Sequence, residues 1–304
     1  MKKQIKTGTE LYEQEKKLAT YTGEDRVVSS HELADELATA RGAAKIPTGM
    51  EPLDRILDGV EAGELIVVTG PTGEGKTTLL TTITQNLVRQ GHLCQWFTLE
   101  VTPKQFLDKI GAKNLPVFYL PHNHIEYADQ AYVKEWEAKH RRRYEVIDWI
   151  EDRIIEMKVK YETDDNELKA VFIDHLHAIF SIARYNNQNM SLEIGDLVQK
   201  VKDIALMHGL VVFLIAHCKD IPDNTNREIR KEDIRDSGMI SRIADSILGV
   251  WRIPNSDDGT KRRKQPIGED DNKAKVAIFK NRRTGKQGFF TAYHSNHAYS
   301  TDPF

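Results

Sequence analysis

The segment Glu64-Leu65-Ile66-Val67-Val68-Thr69, running directly into Gly70-Pro71-Thr72-Gly73-Glu74-Gly75-Lys76-Thr77, constrains this chain more than any other feature. Six residues of strand character meet a glycine-rich octet, and a helical pattern over Lys76–Arg89 takes over at once. A strand, a glycine loop and a helix in that order form a phosphate cradle. The glycines let backbone N–H groups turn inward, and the helix N-terminus adds the positive end of its dipole. In such a loop Lys76 is expected to reach the β- and γ-phosphates and Thr77 to place its hydroxyl on Mg²⁺. Gly70, Pro71, Thr72, Gly73, Glu74, Gly75 and Thr78 complete the candidate binding set. The ligand this chemistry takes is ATP or another NTP or dNTP.

The rest of the chain repeats the same alternation. Strand-like runs fall at Leu93–Leu99, Ala170–Asp174, Val211–Ala216, Ser246–Trp251 and Lys275–Lys280. Helical patterns occupy about Ala131–Tyr161 and about Leu192–His208. Several strand runs are apolar throughout, as strands covered on both faces must be. The expectation is an α/β domain over residues 46–304 with a mainly parallel central sheet flanked by helices. Ahead of it, residues 1–28 are rich in Lys, Glu and Thr with little apolar periodicity and read as a flexible or weakly ordered arm. Ser29 and Glu32 then have capping-box spacing. Leu33, Ala34, Leu37 and Ala38 would line one face of a short helix that Gly42 ends. Residues 1–45 are therefore read as an N-terminal arm and linker helix.

Composition excludes several function classes. The net charge of −3 rules out a globally basic nucleic-acid coat, so polyanion contacts must come from local patches. No run approaches the roughly 18–20 apolar residues that span a bilayer, and no membrane association is expected. Met1-Lys2-Lys3-Gln4 leads into polar sequence, which argues against secretion. The two cysteines, Cys94 and Cys218, lie in apolar runs and read as buried reduced thiols. These points favour the cytoplasm, a nucleoid, an organellar matrix or a phage-infected cell. Arg141-Arg142-Arg143 reads as a solvated helix face and Lys261-Arg262-Arg263-Lys264 as a surface insertion.

A triphosphate site needs more than its loop. Val171-Phe172-Ile173-Asp174 carries a carboxylate to the C-terminal end of a strand, where ligands bind in open α/β sheets, so Asp174 is the candidate metal anchor. A strand-end Asp that caps the following turn is the alternative. The next residue is His175, not Glu, so the group that orients attacking water is sought elsewhere. Glu100, after Trp96-Phe97-Thr98-Leu99, is the better candidate, on a strand expected beside that of the glycine loop. It would equally suit the start of a helix near Thr102-Pro103. His217 ends the run Val211–Ala216, a position suited either to sensing a γ-phosphate or to a plain hydrogen bond at the sheet edge.

The ordered set of motifs resembles one family. Pro47-Thr48-Gly49-Met50-Glu51-Pro52-Leu53-Asp54 and Gly59-Val60-Glu61-Ala62-Gly63-Glu64-Leu65 resemble the entry to a RecA-like core. Ile173-Asp174-His175-Leu176, Ser191-Leu192-Glu193-Ile194, Asp233-Ile234-Arg235-Asp236-Ser237-Gly238 with Ala244-Asp245, and Lys280-Asn281-Arg282 narrow it further. Over roughly residues 45–295 the chain resembles the ATPase domain of DnaB-like replicative helicases and of phage and mitochondrial primase-helicases. The resemblance implies that Glu100 is the catalytic glutamate and His217 the γ-phosphate sensor, in the manner of the phage and mitochondrial branch. It also implies that Lys280 and Arg282 enter a neighbouring subunit's ATP site, with Arg282 as the arginine finger. Residues two apart on a strand share a face, which suits this pair. Two solvated basic residues before Thr284-Gly285 are the alternative.

The same resemblance implies a homo-hexameric ring around single-stranded DNA. Its channel loops would be about 181–190, with Arg184 and Tyr185, and about 219–236, with Lys219, Arg227, Arg230 and Lys231. A primase, polymerase or loader would be its protein partners. There is no room here for an attached primase or a full N-terminal collar, and two cysteines cannot build a four-cysteine zinc module. A RecA-like recombinase or mediator, and a loader or regulatory ATPase without unwinding activity, are the competing readings.

Overall fold

The computed structural model describes residues 8–23, 26–39, 45–99, 101–110, 117–119, 129–183, 190–219, 228–234, 237–253, 273–295 and 298–302. The chain divides into two compact units, Met1–Ala44 and Lys45–Phe304. The first carries helices α1 (Gly8–Ala19) and α2 (Ser30–Thr39). The arm expected without regular structure thus contains a helix. Its Leu, Glu, Gln, Lys and Ala residues are strong helix formers, a signal that apolar periodicity does not register. Helix α2 starts where the capping pattern places it: the Glu32 N–H donates to Ser29 Oγ at 3.1 Å. Gly42 lies outside the described residues.

The second unit opens with α3 (Glu51–Leu57), then β1 (Leu65–Gly70), α4 (Lys76–Arg89), β2 (Leu93–Thr98), α5 (Pro103–Ile110) and β3 (Val117–Tyr119). Helices α6 (Gln130–His140) and α7 (Val146–Tyr161) precede β4 (Leu168–Asp174) and α8 (Leu176–Ala183). Then come α9 (Met190–His208), β5 (Val211–His217), α10 (Ser237–Ile243) and β6 (Ser246–Arg252). Strands β7 (Lys273–Asn281), β8 (Gly288–Ser295) and β9 (Ala298–Ser300) close the chain. The order across the sheet is β3-β2-β4-β5-β1-β6-β7-β8-β9. Pairing is parallel from β3 through β6 and antiparallel from β6 to β9.

This order corrects one expectation. Strand β2 does not flank β1, because β4 and β5 lie between them. The neighbours of β1 are β5 and β6, a choice made by crossover connections rather than by succession along the chain. A second correction concerns the helix expected over Ala131–Tyr161, which is two. Arg141 adopts left-handed φ/ψ and its N–H closes the first helix on the Glu137 carbonyl. Asp148 then accepts the Glu145 N–H at 2.8 Å, starting the second. Arg142 is exposed but engaged, bridging to Asp148 and lying 4.6 Å above the Trp136 ring.

Alternation along β1 divides the core between the sheet's two faces. Leu65 and Val67 pack with residues of α7, α8, α9 and α10, while Ile66 and Val68 pack with residues of α3, α4 and α5. On the second face Trp96, Phe172 and Phe213 stack across β2, β4 and β5 at 4.8 and 4.9 Å. Trp96 donates its indole N–H to Thr84 Oγ1 at 3.0 Å, so this ladder also fixes the depth of α4. Cys94 is buried and Cys218 only partly so. Among the described residues no helix is long and apolar enough to cross a membrane.

Candidate active site

Strand β1 delivers the glycine loop to the C-terminal edge of the parallel sheet. Gly70 has φ +154, and a Cβ there would lie 2.1 Å from the Val250 carbonyl oxygen on the neighbouring strand, so a side chain would push the loop away. Gly75 has φ +100 and forms the left-handed entry to α4. A Cβ on it would meet the Tyr299 hydroxyl at 1.9 Å. Tyr299 is thus a wall behind the loop: its N–H donates to Thr82 Oγ1 at 2.8 Å, and burial pushes its phenol pKa up to about 12. On the other flank Glu74 accepts the Arg252 N–H at 2.6 Å.

Within the loop Lys76 Nζ donates to the carbonyls of Gly70 at 2.9 Å and Pro71 at 2.8 Å. Thr77 Oγ1 donates to Asp174 Oδ2 at 3.0 Å, so a loop hydroxyl and a strand-end carboxylate stand side by side. The Thr78 carbonyl accepts from Thr81 and Thr82, stiffening the first turns of α4. Among the described residues no three His, Cys, Asp or Glu side chains form a metal cage. The Thr77–Asp174 pair instead matches a small hard cation that keeps waters and takes most of its ligands from substrate phosphate.

The β1–β5 register sets Gly70 opposite His217. His217 Nε2 lies 2.9 Å from His175 Nε2, and His177 stands beside both rings. His175 is held neutral: burial, then the charges of His217, His177 and Lys76, pull its pKa from 6.5 to about 3. Glu100 lies outside the described residues; the residue before it, Leu99, donates its N–H to the Asp174 carbonyl at 2.8 Å.

Lys280 and Arg282 stand at the other end of β1. Lys280 Nζ donates to the carbonyls of Ser241, at 2.8 Å, and of Ala244. Its pKa is lowered, first by burial and then by the Arg282 charge. Arg282 follows the last residue of β7 rather than sharing the strand, yet it turns to the same place, reaching Asp245 Oδ1 at 3.1 Å and the Arg242 carbonyl. Asp245 Oδ2 accepts the Leu65 N–H at 2.8 Å and Lys202 Nζ at 2.5 Å. Five residue steps of extended chain, about 16 Å, separate that cluster from the glycine loop of the same molecule. The structure therefore brings together the loop, Asp174 and His217, and keeps Lys280 and Arg282 apart from them.

Residues 45–300 match the DnaB-like helicase C terminal domain family. The chain belongs to that family. Nucleotide binding comes with it. The chain is 22% identical over 255 residues to the replicative DNA helicase DnaB of Mycoplasma pneumoniae, covering 80% of this chain and 53% of that protein. It is 24% identical over 274 residues to the replicative DNA helicase DnaC of Bacillus subtilis, covering 85% and 58%. The chain thus spans a little over half the length of these curated relatives. A structure of a DnaB-like replicative helicase and its interactions with primase shares the fold, with a TM-score of 0.63 at 16% identity, covering 95% of this chain and 70% of that one. A second solved structure, of an isolated ATPase domain, gives 0.62 at 17% identity, covering 89% and 96%.

Three of the residues that shape these two places have no role assigned to them from sequence. Arg283 pairs with Glu61 and Glu64 and donates to the carbonyls of Leu57 and Gly59, tying the approach to β1 onto the β7–β8 turn. Asp245 and Lys202 form the buried ion pair beside Arg282. The Ala244-Asp245 motif was the available signal for Asp245; none marked Lys202. In the segment about 219–236, Lys219 donates its N–H to the Asp233 carbonyl at 2.7 Å, and Asp233 Oδ2 accepts the Arg230 N–H at 2.7 Å. Lys231 opens the short 3-10 turn Lys231–Asp233 between them. Arg184, Tyr185, Arg227 and the basic run 261–264 lie outside the described residues.

Proposed function

We propose that this chain is an ATP-driven translocase on single-stranded DNA that unwinds duplex, working as a ring in which neighbouring copies share each nucleotide site. The observation that carries this reading is the placement of Lys280 and Arg282 at the edge of the sheet opposite their own glycine loop. A cation that far from its own loop completes a triphosphate site by reaching that of another copy, and head-to-tail contacts of this kind close into rings. Six copies are the number the family resemblance implies.

In the proposed site the amides of Gly70–Thr77 and Lys76 hold the phosphates of ATP. Thr77 and Asp174 would hold Mg²⁺, which neutralises charge on the β- and γ-phosphate oxygens. Glu100 orients the attacking water and accepts its proton, His217 contacts the γ-phosphate, and Arg282 of the adjacent copy stabilises charge developing on the transferred group. The family resemblance supports the roles of Glu100, His217 and Arg282. Loss of the γ-phosphate would shift the segments that follow β4 and β5, which are the candidate DNA-gripping loops. Sequence-independent strand tracking asks only for cations and amides there. A primase, polymerase or loader is the proposed class of protein partner; for primase the support is the related helicase whose structure includes those interactions.

The test is ATP hydrolysis with and without single-stranded DNA, alongside forked-duplex unwinding by the same preparation. DNA-stimulated hydrolysis together with strand separation is the expected result. Hydrolysis indifferent to DNA would overturn the translocase reading. Stimulation without unwinding would replace it with a recombinase, mediator or loader-type ATPase.

A further inference from the structure

The contact between His175 and His217 fixes more than distance. Two ring nitrogens 2.9 Å apart form one hydrogen bond, so one carries the proton and the other accepts it. The other nitrogen of His175 decides which. His175 Nδ1 accepts the backbone N–H of Ala178 at 3.2 Å, in the first turn of α8, so it carries no proton. A neutral imidazole has a single N–H, which for His175 must then be on Nε2. His175 is the donor of the pair and His217 Nε2 the acceptor. The single proton of a neutral His217 is left on Nδ1.

From this geometry we infer that His175 is a positioning residue that sets the tautomer of His217, making Nδ1–H the only donor a neutral His217 can offer to phosphate. The inference rests on the reading of His217 as the γ-phosphate sensor and adds what makes a sensor directional. A histidine left to itself exchanges between two tautomers and offers a donor from either side. With Nε2 engaged, the ring has one donor and one orientation. The arrangement also ties two loops to one hydrogen bond. His175 holds the first turn of α8, its carbonyl accepting the Ala178 N–H at 3.1 Å, and α8 leads to the segment about 184–189. His217 is the last residue of β5 and leads to the segment about 219–236. A change in what His217 contacts is felt at the root of both candidate DNA loops.

Two substitutions separate positioning from mere support. His175→Asn keeps a side-chain oxygen near the Nδ1 position for Ala178 but has nothing that reaches His217. His175→Gln extends an amide N–H to about where Nε2 stood. The expected result is that His175→Asn lowers DNA-stimulated kcat by about tenfold or more with little change in KM for ATP, and that His175→Gln recovers most of the loss. The direct readout is two-bond ¹H–¹⁵N correlation spectroscopy of the full chain, with the histidines assigned by substitution. Wild type should show His175 protonated on Nε2 and His217 on Nδ1, and in His175→Asn the His217 proton should no longer be confined to Nδ1. The opposite tautomers in wild type, or equal losses in Asn and Gln, would overturn the assignment. If His217→Ala abolishes stimulation while His175→Asn turns over like wild type, the positioning role alone fails. If His217→Ala itself turns over normally, the sensor reading fails and takes the inference with it.

Discussion

The two ends of β1 hold charge in opposite ways. At its C-terminal end Gly70–Thr77 offers backbone amides, one lysine folded onto loop carbonyls, one carboxylate and a neutral histidine pair. At its N-terminal end Asp245 gathers Lys202, Arg282 and the Leu65 N–H, while Lys280 and Arg283 satisfy themselves on carbonyls and on Glu61 and Glu64. The first end is built to receive a polyanion, because orientable amides bind phosphate without a counterion that must first be displaced. The second stores cations on partners that can release them: Arg282 keeps half of its side chain exposed, whereas Lys202 and Asp245 beside it are 12% and 10% exposed. A mobile guanidinium above a fixed ion pair is what a residue acting on a neighbouring molecule requires.

The contrast is tested most severely at its receiving end. Lys76→Ala is expected to lower ATP hydrolysis by about a thousandfold or more while leaving the fold intact, because only bound phosphate needs the charge. Steady-state hydrolysis and a thermal melt check both halves of the statement. Arg282→Ala should also lower hydrolysis by about a thousandfold, yet bind ATP as a single chain much as wild type does. Mixing it with Lys76→Ala should return part of the activity, since some interfaces then pair an intact loop with an intact finger. No recovery on mixing would place both residues in one self-contained site.

The storing end predicts a loss of stability instead of turnover. Asp245→Ala leaves Lys202 and the Leu65 N–H without their acceptor, and is expected to destabilise the domain by about 3 kcal/mol in urea unfolding. The smallest effect concerns pH. Folding pulls the His175 pKa from 6.5 down to about 3, so between those values the unfolded chain binds the proton and the folded one does not. Stability must therefore fall as pH drops through that window. Relative to wild type, His175→Asn should flatten the slope by at most about 1.4 kcal/mol per pH unit, measured as urea midpoints.

Much of this was legible in the residues themselves. Helix α4 begins and ends where the pattern from Lys76 to Arg89 places it, because a glycine loop and an amphipathic period are local signals. The strand cores were legible for the same reason, each a run apolar on both faces. The boundary between α6 and α7 was not, since Arg141 takes its left-handed turn only with Tyr144 buried and Asp148 waiting to cap the next helix. Strand order was not legible either. Nothing in β2 announces that β4 and β5 will separate it from β1.

Short stretches of chain were enough to specify the phosphate loop, the carboxylate at Asp174, the alternation of strands and helices, and the family. The chemistry of each stretch does not depend on distant partners. Which end of the sheet each charge occupies was settled only by the packed fold. It set His217 against Gly70, turned His175 toward His217, and carried Lys280 and Arg282 to the far end of β1. Those placements depend on register between strands far apart in the chain, which is fixed only when both faces of the sheet are packed.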